Sequence, residues 1–168
     1  MARRYYLSAT SSLFLGGDFY KKLTQNIASS SSTTSFSISG AVTESSFSAT
    51  EPLHPGTAGN VTGDYIVTVD VTTANSNIFL SVFVSRIDSV GDIQTSSSTT
   101  AEQQMSTTGQ KTFTLSAVNL GTFLSTDQFR ITYVARNIAK GVQVLSFATD
   151  DLDSSVLTPF TTRVFVVT

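Results

Sequence analysis

The sequence predicts an all-β protein, an antiparallel β-sandwich with one short N-terminal helix, and three observations carry that expectation. From Ser35 onward, apolar side chains alternate with polar ones over most of the chain, which is the period of two that a half-buried strand imposes. Gly, Asn, Asp, Ser and Thr gather between the alternating runs, where turns need residues that tolerate unusual backbone angles or hydrogen-bond their own main chain. No helical pattern recurs between them. The 168 residues suit one compact domain whose core can form without disulfides or a structural metal.

Taken in order, residues 1–34 form the least regular part and are expected to be an arm that precedes a sandwich domain over residues 35–168. Within the arm, Asp18 can cap a short helix whose Phe19, Leu23 and Ile27 share one face. Phe36 and Ile38 then alternate with Ser35, Ser37 and Ser39 until Gly40 ends the run. Tyr65, Val67, Val69 and Val71 alternate with Ile66, Thr68, Asp70 and Thr72 in the clearest strand of the sequence. After a turn-rich connector over residues 73–77, Ile78, Leu80, Val82 and Val84 oppose Phe79, Ser81, Phe83 and Ser85. Both of those faces are partly apolar, which places the strand centrally. Gly91 and Asp92 mark a turn, and a Ser/Thr stretch fills residues 95–100. Further strands are expected at Lys111 to Leu115, Phe129 to Arg136, Val142 to Phe147 and Arg163 to Val167. Strands of this number and spacing, without the Cys and Trp marks of an immunoglobulin domain, favour a jelly-roll-like sandwich.

Composition narrows the function. Charged residues are 13% of the chain, with 10 Lys+Arg against 12 Asp+Glu and a formal net charge of −2. Such a chain lacks the cationic excess that holds phosphate backbones or anionic lipid, so neither nucleic acid nor a membrane surface is an expected partner. Charged residues are about half as frequent as usual, while Ser and Thr together make up roughly a third of the residues. The exterior is therefore expected to be hydroxyl-rich and neutral. No run of about 18 apolar residues suggests a membrane-spanning helix.

Catalytic chemistry has few parts to draw on. The absence of cysteine excludes thiolate metal sites and cysteine nucleophiles, and the single histidine, His54, excludes metal sites built on two imidazoles. His54 sits between Pro52 and Pro55 in a loop-like segment, and Gly-x-Ser-x-Gly does not occur. No catalytic residue and no cofactor are expected. Asp150, Asp151 and Asp153 form an acidic cluster that could supply oxygen ligands to Ca²⁺, although the spacing is not that of an EF-hand and a solvated turn is the simpler reading. Asp88 and Asp92 around Gly91 form a weaker candidate of the same kind. Phe79 and Phe83 share one strand face. If that face lies outside the core it forms an apolar stripe suited to a subunit contact, and otherwise both rings fill the core.

Several segments together resemble a known group. They are Gly63-Asp64-Tyr65-Ile66-Val67-Thr68-Val69-Asp70-Val71, Ala74-Asn75-Ser76-Asn77-Ile78-Phe79-Leu80-Ser81-Val82, Gly109-Gln110-Lys111-Thr112-Phe113-Thr114-Leu115, and Phe129-Arg130-Ile131-Thr132-Tyr133 with Arg136-Asn137. With the opening Ala2-Arg3-Arg4-Tyr5-Tyr6-Leu7, this resembles small proteins encoded among tailed-bacteriophage virion genes, jelly-roll components that decorate or cement a capsid or are carried on tails. The resemblance is made of strand and turn patterns and carries no active site. It implies a virion structural protein at the capsid surface, with the major capsid protein as partner and self-association into a homo-oligomer, for example a trimer. Arg3, Arg4, Tyr5, Tyr6, Phe79 and Phe83 are then the expected protein-contact residues. A carbohydrate- or receptor-binding tail module is the alternative, since jelly rolls also serve as lectin domains.

Overall fold

The computed structural model describes residues 3–11, 20–25, 32–50, 53, 61–149 and 154–161. Its strands are β1 (Arg3–Ser11), β2 (Tyr20–Thr24), β3 (Ser32–Ile38), β4 (Thr43–Thr50), β5 (Thr62–Thr73), β6 (Asn75–Ile87), β7 (Ile93–Ser96), β8 (Gln103–Met105), β9 (Gly109–Asn119), β10 (Gln128–Asn137), β11 (Gln143–Thr149) and β12 (Ser155–Thr158). All belong to one hydrogen-bonded sheet in the order β3-β11-β5-β12-β1-β2-β4-β10-β6-β7, with β9 added to β5 and β8 to β6. Pairing is antiparallel except between β2 and β4.

The sheet folds over on itself. One arm, β3-β11-β5-β9, faces the other, β4-β10-β6, and β12, β1 and β2 carry the hydrogen bonding from one layer to the next. The core between them is apolar and aromatic, as the period of two requires. Tyr65, Val67, Val69 and Val71 of β5 are buried while Ile66, Thr68 and Asp70 are only half so. Tyr65 stacks on Phe129 of β10 with centroids 5.6 Å apart and planes at 22°. Phe160, after β12, meets Tyr5, Tyr65, Phe123 and Phe129 edge-on. Such contacts each add on the order of 1 kcal/mol to the burial of the rings themselves. The two-faced apolar pattern placed β6 centrally; it lies instead one place from the end of the strand order, between β10 and the short strands β7 and β8.

At the far end of β6, Arg86 bonds a carboxylate, a carbonyl and a hydroxyl of neighbouring segments. It donates from Nη1 to Asp127 Oδ2 at 2.8 Å, from Nε to the Leu120 carbonyl at 2.9 Å and from Nη2 to Thr95 Oγ1 at 3.3 Å. Asp127, 1% exposed, also accepts the Leu124 amide through Oδ2 at 2.9 Å. A charge this deeply buried is tolerated because each partner satisfies the other. The pair pins the 120–127 loop to the sheet.

The expected N-terminal helix is corrected: Tyr20–Thr24 is a β-strand, with Leu23 buried opposite Leu7 of β1. The reason lies in arithmetic. A recurrence every four residues is an even number, so it fits a strand's period of two as well as a helix's 3.6, and here the open edges of β1 and β4 decide between them. Asp18, Phe19 and Ile27 lie outside the described residues, as does the strand expected at Arg163 to Val167. The described part of residues 1–34 is woven into the sheet through β1 and β2.

Candidate functional site

β4 is the strand that shapes a cleft between the layers. Its register against β10 sets Glu44 opposite Ala135, Ser46 opposite Tyr133 and Ser48 opposite Ile131, so its core-facing row is Glu, Ser, Ser and Thr where the neighbouring strands present Phe, Ile and Leu. Short polar side chains do not fill the space between the layers. A cavity of about 280 Å³ results, walled by Phe36, Ile38, Leu80, Leu145 and Phe147 and rimmed by Ser35, Glu44 and Ser46. Tyr133 forms its floor, hydrogen-bonded to Ser48, and burial pushes its phenol up to about 12. Glu44 Oε1 accepts the Ser39 amide at 3.1 Å.

Beyond Ile38, past the lining of this cleft, two turns are held by a single amide. Asn137, 2% exposed, donates from Nδ2 to the carbonyls of Ile38, Ser39 and Gly141 at 3.2, 3.0 and 3.0 Å, and its Oδ1 accepts the Ala139 amide at 2.9 Å. The β3–β4 turn and the β10–β11 turn are thereby locked together, with the Ala41 amide bonded to the Ala139 carbonyl at 2.7 Å. The approach is so close that a Cβ on Gly40 would collide with the Lys140 carbonyl; only glycine fits. From these locked turns Val42, Ile138 and Val142 project into solvent, 41%, 52% and 64% exposed. Three apolar side chains are thus exposed on one pair of hydrogen-bonded turns.

A second cleft, about 380 Å³, lies between residues 96–100 and the end of β9 and is lined by Ser96, Ser97, Thr99, Thr100, Ser116 and Asn119 among others. Its lining carries hydroxyls and an amide but no charge or aromatic ring.

The sequence-derived candidates are spread across the fold. Tyr5 is a core residue, 4% exposed and edge-on to Phe160; Tyr6 is half-buried opposite Ser155. Arg4 is exposed and donates to Ser155 Oγ at 3.0 Å, while Arg3 lies opposite Thr158, whose hydroxyl donates to the Arg3 carbonyl. Phe79 and Phe83 lie on the outer face of β6, half-buried, opposite the buried Ile78, Leu80, Val82 and Val84. Arg136 stacks over Phe79 at 4.7 Å and is itself held by both carboxylate oxygens of Glu102 at 2.8 and 2.7 Å. These hydrogen bonds hold the Glu102 carboxyl below its ordinary value.

Asp150, Asp151, Asp153 and His54 lie outside the described residues. Asp88 is a turn staple, accepting the amides of Val90 and Asp92 through Oδ1 and Gln94 Nε2 through Oδ2. Among the described residues no three His, Cys, Asp or Glu side chains converge on one point. Sequence reasoning missed both Glu44 with its polar row and the Val42, Ile138, Val142 tip. A run of Ser and Thr between two turns was the only available sign of the first, and Gly40 and Gly141 flanking exposed valines of the second.

No protein-family model and no curated protein matches the sequence. Among solved structures, two crystal structures of a CocE/NonD family hydrolase from Staphylococcus aureus are similar, at 11% identity and TM-scores of 0.51 and 0.50, over 96% of this chain and 37% and 36% of the hydrolase. The likeness is one of fold. A chain from the structure of the infectious bursal disease virus Gx strain aligns at 10% identity and a TM-score of 0.40, over 91% of this chain and 37% of that one. This chain thus spans little more than a third of the length of these structures.

Proposed function

We propose that the protein is a non-enzymatic virion structural component, a jelly-roll-type module that binds the assembled major capsid shell of a tailed phage as a decoration or cement protein. The observation that carries this reading is the tip formed by Val42, Ile138 and Val142. Those side chains are apolar and exposed, and the Asn137 bonds fix the turns that bear them. A preformed apolar contact loses little conformational freedom on docking, so more of its buried area appears as affinity. A module that binds only the assembled shell shifts the equilibrium toward assembly, and self-association into a trimer would place several tips on neighbouring capsomers. The low charge of the chain supports a contact dominated by shape.

Co-sedimentation with shells assembled from a tailed-phage major capsid protein tests the reading. The chain is expected to pellet with shells and not with unassembled subunits, with an affinity that changes less than about threefold between low and moderate salt. Ile138→Ser with Val142→Ser is expected to lower occupancy about tenfold or more with the melting temperature unchanged. Steep salt dependence, or full occupancy by that variant, would contradict the model. A second reading, a glycan- or receptor-binding tail module, draws on the hydroxyl-lined cleft between residues 96–100 and β9. Glycan-array binding that Ser116→Leu abolishes, without any affinity for shells, would favour it instead.

A further inference from the structure

We propose that the cleft between β3 and β4 binds a small amphiphile with an apolar ring or branched body and a cationic ammonium head, a site separate from the shell-contact tip. Size comes first. The cavity is about 280 Å³, nearly twice the ~150 Å³ of an apolar cavity that accepts benzene, so a ring carrying a two- or three-atom tail fits. Its walls include Phe36, Ile38, Leu80, Leu145 and Phe147, which offer aromatic and aliphatic contact to such a ring. Ring contacts between Phe36 and Phe147 at 5.1 Å and between Phe36 and Tyr133 at 6.3 Å brace those walls against one another.

The head group follows from the rim. Glu44 is the one ionisable side chain of the lining besides Tyr133. Glu44 Oε1 is engaged by the Ser39 amide, and among the described residues Oε2 has no protein donor, so it is the natural acceptor for a ligand's N–H. The nearby cation Arg136 does not compete, because it points to the outer face and is held there by Glu102 and Phe79. An ammonium at the lip and a ring inside match this arrangement; a carboxylate would meet Glu44 as a like charge. The Asn137 bond to the Ile38 carbonyl fixes the end of β3 and so one wall of the cleft, which is formed before any ligand arrives.

The test is an NMR titration of the full chain, ¹⁵N-labelled, at neutral pH with three molecules of one shape: 2-phenylethylamine, 2-phenylethanol and 3-phenylpropionate. The expected order is amine, then alcohol, then carboxylate, with about tenfold between the first and last and shifts centred on β3, β4 and β11. Glu44→Gln keeps the acceptor for Ser39 and is expected to erase the preference of amine over alcohol while leaving the alcohol's affinity within about twofold. Ser46→Leu fills the cleft and is expected to abolish all three titrations with the fold intact by its spectrum. Should that variant not fold, Ala135→Val narrows the same space from β10. Absence of shifts from all three molecules at millimolar concentration, shifts confined to other surfaces, or equal binding of amine and carboxylate would each overturn the proposal. Shell binding by Ser46→Leu stays at the wild-type level if the two sites are separate, so a failure here leaves the structural role standing.

Discussion

Tyr65 and Tyr133 show how a single buried polar atom ties stability to pH. The Tyr65 hydroxyl donates to the Val61 carbonyl at 2.7 Å, and burial pushes its phenol far up. Tyr133 is raised from 10.0 to about 12 by burial, partly offset by its bond with Ser48. Tyr5 moves the same way, again through burial, with Arg3 opposing. A folded-state value above the unfolded one means that the fold prefers the protonated phenol. The stabilisation is therefore complete below pH 10 and is lost as pH rises through the folded value. Urea unfolding measured from pH 7 to 12 is expected to show no pH dependence from these groups below about pH 9.5, where their full contribution is present. Above pH 10 the fall should approach about 1.4 kcal/mol per pH unit for each of Tyr65 and Tyr133. Tyr133→Phe is expected to reduce that slope by one proton's worth; an unchanged slope would mean that Tyr133 ionises without unfolding.

At the scale of the element, the Ser/Thr stretch after β7 turns out to be a strand's missing partner. Ser97 donates its amide to the Val84 carbonyl at 2.9 Å while its Oγ accepts the Val84 amide at 3.0 Å. Thr100 repeats the pattern on Val82, at 2.9 and 3.0 Å. Two hydroxyls thus stand in for two backbone carbonyls and cover the edge of β6 between β7 and β8, where an unpaired ladder would invite another chain. Ser97→Ala with Thr100→Ala is expected to speed amide exchange at Val82 and Val84 about tenfold or more, in keeping with about 1 to 2 kcal/mol for each orphaned donor. Exchange at Val69 should stay constant; equal acceleration everywhere would make the effect global rather than local. This stretch also marks where sequence reading stops. β5, β6 and β10 were legible because their core faces are continuous rows of Val, Ile, Leu, Phe and Tyr. β4 was not, since Glu44, Ser46 and Ser48 face inward and Phe47 outward, which inverts the usual signal. β2 carried a spacing that served two periods equally. The cleft depends on β4's inverted pattern, so neither it nor Glu44 was visible before the strands were paired.

For the whole molecule, what matters is that, among the described residues, the first strand joins the last. Arg4 bonds Ser155 across 151 residues of sequence, and β1 lies between β12 and β2, in the segment that carries the sheet from one layer to the other. β1 also brings Tyr5 and Leu7 into the core, 4% and 1% exposed. Pairings this distant in sequence close late and slowly, on the order of milliseconds to seconds for sheet-rich folds. They also make the termini indispensable. Deletion of residues 1–17 removes the shared neighbour of β2 and β12, uncovers Phe160 on the side where Tyr5 meets it, and leaves the layers without their hydrogen-bonded seam. The truncated chain is therefore expected to lose its cooperative thermal transition and to bind a dye for exposed apolar surface, as a collapsed state without fixed packing does. A detachable docking arm would behave otherwise, with the melt preserved and only shell binding lost. Calorimetry of the truncated chain beside the Ile138→Ser, Val142→Ser variant separates the two, because the tip variant removes contact area without touching the seam.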